Sequence, residues 1–317
     1  METISERQAI GLFHDTSKKW ETNNQCLYPK CKKKPIGSHI IPRPILKLLA
    51  ENGKVLGWKP SYHELVQNAQ NNQEIVRLYE EPRSFGIEED IFPIKLPLYC
   101  SYHDRILFAP LEQSEFTAHP KQVALLAYRA LSYNTCYPHL VNNTLAWAKQ
   151  HEFSHAFSSP KDAAILQNSF ATSALLEARD QLASMLATED YAQLEWELFM
   201  LNIPAWIAST AAYIPIIENQ DTDILSGTLS FTAQDVLTFS LFPDNTGMKS
   251  YCVLSRFKDS QRADYSRAAF RQLSTSDLQD VLFATAFRQG NVCIAPAWWN
   301  SLSREDKQQL KEIYLDF

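Results

Sequence analysis

Two pairs of metal-ligating residues, Cys26-x4-Cys31 and Cys100-x2-His103, constrain this chain more than any other feature of its 317 residues. Thiolate and imidazole are the donors of tetrahedral Zn2+ sites, which take their ligands as two close pairs. For all four to serve one ion, the chain must leave the first pair, run a long course and come back to it. The ion would then lend folding energy to a stretch with little apolar core. The alternative is that Cys26 and Cys31 are ordinary residues of a basic loop. Cys136, Cys252 and Cys293 lie in apolar sequence and read as buried, inert thiols.

The spacing favours ligation over disulfides, in keeping with a reducing cytoplasm. That location is expected because Met1 to Gln8 has neither the basic start nor the apolar run of a secretory signal. No membrane association is expected either. The longest apolar stretch, Ile203 to Ile217, is interrupted by Pro204, Ser209, Thr210 and Pro215 and falls short of the ~20 residues that span a bilayer.

The net charge of −6 speaks against a chain that coats nucleic acid over its whole surface. The charge is uneven, however. Lys18, Lys19, Lys30, Lys32, Lys33, Lys34, Arg43, Lys47, Lys54 and Lys59 face only Glu21 and Glu51 over the same stretch, around the first cysteine pair. Phosphate-backbone binding needs such a footprint, with Lys30, Lys32, Lys33, Lys34 and Arg43 as the candidate contacts. A solvated lysine-rich loop would have the same composition.

Between the ligand pairs, Gly37-Ser-His-Ile-Ile-Pro42 resembles the Asp-His-Ile-Ile-Pro strand of HNH (ββα-metal, treble-clef) endonucleases, many of which fold around two such cysteine pairs. The resemblance implies His39 as general base and Asp104 as ligand of a catalytic Mg2+ or Mn2+. The sequence departs from that pattern at Ser38, where the family carries Asp, and Asn52 is a weak match to the motif's Asn. Alternatively, His39 is a hydrogen-bonded core histidine and Asp104 caps the following helix. Almost the full length also resembles a widespread bacterial family with no settled activity. The residues that carry this are Ser38-His39, Cys100-x-x-His103-Asp104, Leu107-Phe108, Glu112, Ala127-Tyr-Arg-Ala-Leu131 and Asn291 to Trp299 with Ser301-Leu302. Within it, Arg129 is either a reach to phosphate or Asp104, or a structural arginine paired with a carboxylate. Trp298 and Trp299 read as core and rim aromatics.

His151-Glu-Phe-Ser-His155 matches H-E-x-x-H, in which two histidines one helical turn apart bind zinc and Glu152 is the base of a metallopeptidase. Glu177 would be the third ligand. Lys149 and Gln150 precede the pentad, unlike the uncharged flanks of working peptidases, and two solvent-facing histidines are the plainer reading.

These signals predict an α+β chain in three parts: a zinc-binding HNH-like module with a lead-in helix (1–115), a helical middle (116–200) and a mixed C-terminal portion (201–317). Val123, Leu126, Ala127, Ala130 and Leu131 form one helical stripe; Ala171, Leu175, Ala178, Leu182, Met185 and Leu186 form another. A separate helix is expected from Asn142 to Phe157. Alternation over Leu237 to Leu241, a turn at Pro243 to Gly247 and the run Tyr251 to Leu254 predict a hairpin. Further expectations are a helix ending at Gly290, a strand over Val292 to Ala295 and a capped final helix from Ser303. The function expected is metal-dependent cleavage of nucleic acid, in the setting of a bacterial phage-defence system with a protein partner. The alternative is a non-catalytic zinc-finger module that binds nucleic acid or protein.

Overall fold

The computed structural model describes residues 25–58, 81–88, 94–150, 169–215, 231–288 and 291–315. The expected lead-in helix over 1–20 and the polar stretch Ser61 to Arg77 lie outside them. The described chain opens on a tight turn. The Cys26 N–H donates to the Lys33 carbonyl (2.9 Å), the Cys31 N–H donates to the Tyr28 carbonyl (3.1 Å), and Lys30 at the tip takes a φ of 63°. Strand β1 (Ile36–His39) and helix α1 (Arg43–Leu49) follow. Next, Glu51 and Lys54 exchange backbone hydrogen bonds across Asn52 and Gly53, whose φ values are 51° and 73°. Two positive φ angles in a two-residue turn are what an Asn-Gly pair supplies. Asn52, the weak match to the motif's Asn, sits in this turn.

β2 (Lys54–Gly57), β3 (Arg83–Gly86) and β4 (Lys95–Tyr99) come next. β4 pairs antiparallel with β1, setting Ser38 opposite Leu96 and His39 opposite Lys95. Helix α2 (Ser101–Leu107) starts at once, with Cys100 at its N-cap, and the single turn of α3 (Ala109–Glu112) closes the region.

Helix α4 (Pro120–Gln150) is the central element. The sequence shows it as one apolar stripe, but every residue from Gln122 to Tyr133 is buried. A helix covered on all sides needs neighbours on all sides. The β1–β4 region packs against it, with the Tyr128 hydroxyl donating to the Leu27 carbonyl (3.2 Å). α5 (Ser169–Thr188) and the main sheet flank it elsewhere. The helix expected from Asn142 is the continuation of α4, which runs unbroken through Pro138; a proline removes one rung of the ladder without always ending a helix.

β5 (Leu194–Leu201), β6 (Ile207–Tyr213), β7 (Leu237–Pro243) and β8 (Ser250–Phe257) follow, then α6 (Gln261–Arg271), α7 (Thr275–Arg288), β9 (Val292–Ile294), α8 (Pro296–Ser301) and α9 (Arg304–Leu315). β7 and β8 are the expected hairpin, and Val292 to Ile294 is the expected strand. Ser303 and Asp306 exchange side chain-to-backbone bonds at the start of α9, the anticipated capping box. Gly290 lies outside the described residues.

Seven strands form one antiparallel sheet in the order β3-β2-β9-β6-β7-β8-β5. It draws strands from all three sequence segments: β2 and β3 from 1–115, β5 across the 200 boundary, and the rest from 201–317. One face carries Ala208, Ala212, Phe242, Val253 and Phe257 toward α4, and the Asn134 side chain accepts from the Ala212 N–H (3.1 Å). The other face carries Ile207, Ala211, Phe239, Leu241 and Leu254 toward Phe287 of α7, Trp299 and Tyr314. The chain is thus mixed α and β with helices on both faces of the sheet. Among the described residues no helix is long and apolar enough to cross a membrane.

Candidate metal centre and the His39 cluster

The donor atoms of Cys26, Cys31, Cys100 and His103 all lie within 4.8 Å of one another, close enough to hold a metal ion. The fold reason is short-range at each end. The Cys26 to Cys31 turn faces both thiols one way, and the first turn of α2 does the same for Cys100 and His103. The two halves are joined where the Leu27 N–H donates to the Leu98 carbonyl on β4 (2.8 Å).

The separations can be tested against the ion. Zinc–sulfur bonds of about 2.3 Å and zinc–nitrogen bonds of about 2.0 Å, at tetrahedral angles, demand edges of roughly 3.8 Å between sulfurs and 3.5 Å between sulfur and nitrogen. Cys31 Sγ to Cys100 Sγ is 3.9 Å, and His103 Nδ1 lies 3.3 Å from Cys26 Sγ and 3.5 Å from Cys100 Sγ. The sulfurs are also far beyond the ~2.05 Å of a disulfide, and all six cysteines are free.

Burial pushes the Cys26 thiol up to about 12. At Cys100 burial also acts upward, but the His103 and Tyr102 N–H groups at the start of α2 and the Cys31 and Cys26 thiols outweigh it and hold that thiol below its usual value. Burial, and then Lys33, lower His103, keeping its imidazole neutral. The Tyr28 ring stacks on His103 at 4.1 Å and fixes the imidazole plane.

A second constellation lies against the first. His39, at the end of β1, points its Nε2 at the Ile87 carbonyl (2.9 Å). A carbonyl only accepts, so Nε2 carries the hydrogen and Nδ1 keeps a lone pair. Burial, Lys95 and Arg129 all lower the His39 pKa, against the opposing pull of the Ile87 carbonyl and Glu112. Asp104, half-buried on α2, is raised by burial while the Ser38 hydroxyl and Arg129 pull it down. Ser38 stands where the nuclease pattern has Asp, and its hydroxyl also lies 3.4 Å from the Ile36 carbonyl.

Beneath them Arg129 is 2% exposed, bonded to Glu112 (2.8 Å) and stacked over Phe108 at 4.0 Å. Of its two sequence readings, the carboxylate-paired arginine is the one found. Ser38, His39, Asp104, Glu112 and Arg129 thus converge from four elements. Sequence reasoning missed the Ile87 carbonyl, which leaves no side-chain signature, and Lys95, whose Nζ donates to the Glu88 carbonyl.

The basic candidates divide. Lys30, Lys32, Lys33 and Lys34 are exposed on the cysteine turn, with Lys33 Nζ 5.7 Å from the Tyr102 ring centre. Arg43 is held by Glu88 at 2.5 Å. His151, Glu152 and His155 lie outside the described residues. Glu177, their suggested companion, accepts from the Ala233 N–H (3.2 Å). Cys136, Cys252 and Cys293 are buried, and burial raises all three thiols, as expected of inert ones. Comparison with protein-family models, curated proteins and solved structures finds no match to this chain.

Proposed function

We propose that the four-ligand centre is a structural zinc site in a treble-clef module of the HNH kind, and that the protein hydrolyses phosphodiester bonds in nucleic acid with His39 as general base. The observation that carries this is the orientation of His39. Its Nε2–H is tied to a backbone carbonyl, Nδ1 is left as the proton acceptor, and buried surroundings with two nearby cations keep it unprotonated. A base must be in its proton-accepting form at working pH, and this imidazole meets that condition without needing a carboxylate behind it. Nδ1 would take a proton from the attacking water as its oxygen bonds to phosphorus, the bond from phosphorus to the departing oxygen would break, and that oxygen would take a proton from solvent.

When bound, zinc would hold the cysteine turn against α2 and thereby hold Ser38 and His39 beside Asp104. A catalytic Mg2+ or Mn2+ is a different matter. Among the described residues the Cys/His group is the only set of three or more such ligands close enough for an ion. Glu112 is engaged by Arg129 and Glu88 by Arg43, which among the described residues leaves Asp104 as the carboxylate near His39 without an arginine partner. With one carboxylate, a divalent cation would need water and substrate phosphates to complete its shell, so no step here is routed through such an ion.

A specific observation also favours the non-catalytic reading. Tyr102 and Ile106 are 52% and 50% exposed, and they lie one turn apart on α2, about 200° around the helix from Asp104. With Lys33 over Tyr102, this makes an adhesive basic face directed away from His39. Nucleic acid, or a protein partner in a defence system, could dock there with no chemistry following. The test is cleavage of DNA and RNA by the unmodified protein and by His39→Ala, in several divalent metals. The nuclease reading expects cleavage that falls about 10² to 10⁴-fold in the variant, the usual weight of a general base, with the zinc content unchanged. Unmodified protein inert toward every substrate would leave the binding module.

A further inference from the structure

β5 lies at the end of the seven-stranded sheet, paired through all eight of its residues with β8 on one side and, among the described residues, with nothing on the other. Sheets usually blunt such an edge with proline, lysine, a bulge or a covering element. β5 (Leu-Glu-Trp-Glu-Leu-Phe-Met-Leu) contains neither residue, its two charged side chains, Glu195 and Glu197, are each paired with an arginine, and its register with β8 is continuous. It also carries exposed apolar side chains. Leu198 is 39% and Met200 64% exposed, and Met248, in the β7–β8 turn beside the same end of the strand, is 74% exposed.

We propose that this edge joins two copies of the chain by antiparallel pairing of β5 with β5 about a two-fold axis at Leu198. The argument for a second copy is the strand's own pattern. Residues directly opposite in an antiparallel pair share a face, so a symmetric pairing must be centred on a residue. Centred on Glu197, it would set that carboxylate against its own copy. Centred on Trp196, it would oppose Glu195 and Glu197. Centred on Phe199, only five residues would pair. Centred on Leu198, seven residues pair from Glu195 to Leu201. Leu198 then meets Leu198, Trp196 meets Met200, and each glutamate meets an apolar residue, Glu197 against Phe199 and Glu195 against Leu201. The carboxylates already have cations of their own, Arg256 at Glu195 and Arg271 at Glu197, so the seam introduces no unpaired like charges.

The experiment is sedimentation of the full chain and of L198K, with disulfide trapping of L198C and E197C. Unmodified protein should sediment as a dimer at tens of micromolar and L198K as a monomer with unchanged circular dichroism. L198C should cross-link to itself on oxidation, because directly opposed Cβ atoms lie about 4.5–5.5 Å apart, whereas E197C should not, its nearest copy being a diagonal neighbour at about 7–8 Å. Should L198K fail to fold, the two cysteine variants decide alone. Monomeric unmodified protein, a dimer that persists in L198K, or E197C trapping as well as L198C would each overturn the proposal.

Discussion

Removing Glu112 should harm this protein more than removing Arg129, although the two are partners in one ion pair. At 2.8 Å and an effective dielectric near 20, their attraction is about 6 kcal/mol before desolvation is counted. Glu112 is 29% exposed and can return to water when its partner is lost. Arg129, at 2%, cannot. Glu112→Gln therefore strands a buried cation. Screening by the water that reaches Glu112 puts the loss near 3 kcal/mol, at the lower end of the ~3–5 found on breaking buried pairs.

Arg129→Met removes the cation itself. It forfeits the stacking on Phe108, worth about 1 kcal/mol, but it also removes Nε and Nη1, two buried donors with no acceptor among the described residues. Each such donor carries about 1–3 kcal/mol of unrecovered desolvation, so the net change should fall near zero. Urea unfolding followed by circular dichroism should place Glu112→Gln about 2–3 kcal/mol below Arg129→Met, the buried cation being the larger loss. If Arg129→Met is as destabilised as Glu112→Gln, the guanidinium makes bonds that this account omits.

Three further outcomes are expected. Cys31→Ser should lose stoichiometric zinc by elemental analysis and become protease-sensitive in the region of the cysteine turn and α2, since such a module and its ion fold together. Replacing Lys32, Lys33 and Lys34 with Glu should weaken retention on DNA and flatten its salt slope by about three units, because each neutralised phosphate releases close to one counterion; an unchanged slope would make the lysines a solvated surface. His39 has a folded pKa below its ordinary 6.5, so the unfolded chain takes up the proton first. Its contribution to stability is therefore full above pH 6.5 and is lost as pH falls from 6.5 through the folded value. His39→Gln should flatten that part of the stability–pH curve, and the acid limb of any cleavage activity should lie below 6.5.

What could be read from the sequence was what is local. The cysteine turn and the Cys100-x2-His103 pair are each set by a few residues, and a shared tetrahedral ion would require their long-range closure, so their meeting could be anticipated. The β7–β8 hairpin showed itself through alternation and a turn. β6 did not, because its two faces are both buried and Ile207 to Ala212 carries no alternation. Over Gln122 to Tyr133, α4 showed one stripe where the fold buries every side, since alanines and tyrosines on its other faces give no clear periodicity. Arg129 was legible as a paired arginine, but Glu112 becomes its partner only through the turn from α2 into α3. The Ile87 carbonyl that orients His39 is backbone, and no residue type announces it.

The proposed metal centre is central to the nuclease reading, because a zinc bound by Cys26, Cys31, Cys100 and His103 would hold the cysteine turn against α2, next to His39 and Asp104. X-ray absorption at the zinc edge of the purified full chain tests it most directly. The account predicts one zinc per chain with three sulfur neighbours at about 2.3 Å and one nitrogen at about 2.0 Å. A shell with fewer than three sulfurs, or protein that folds and carries no zinc, would contradict it.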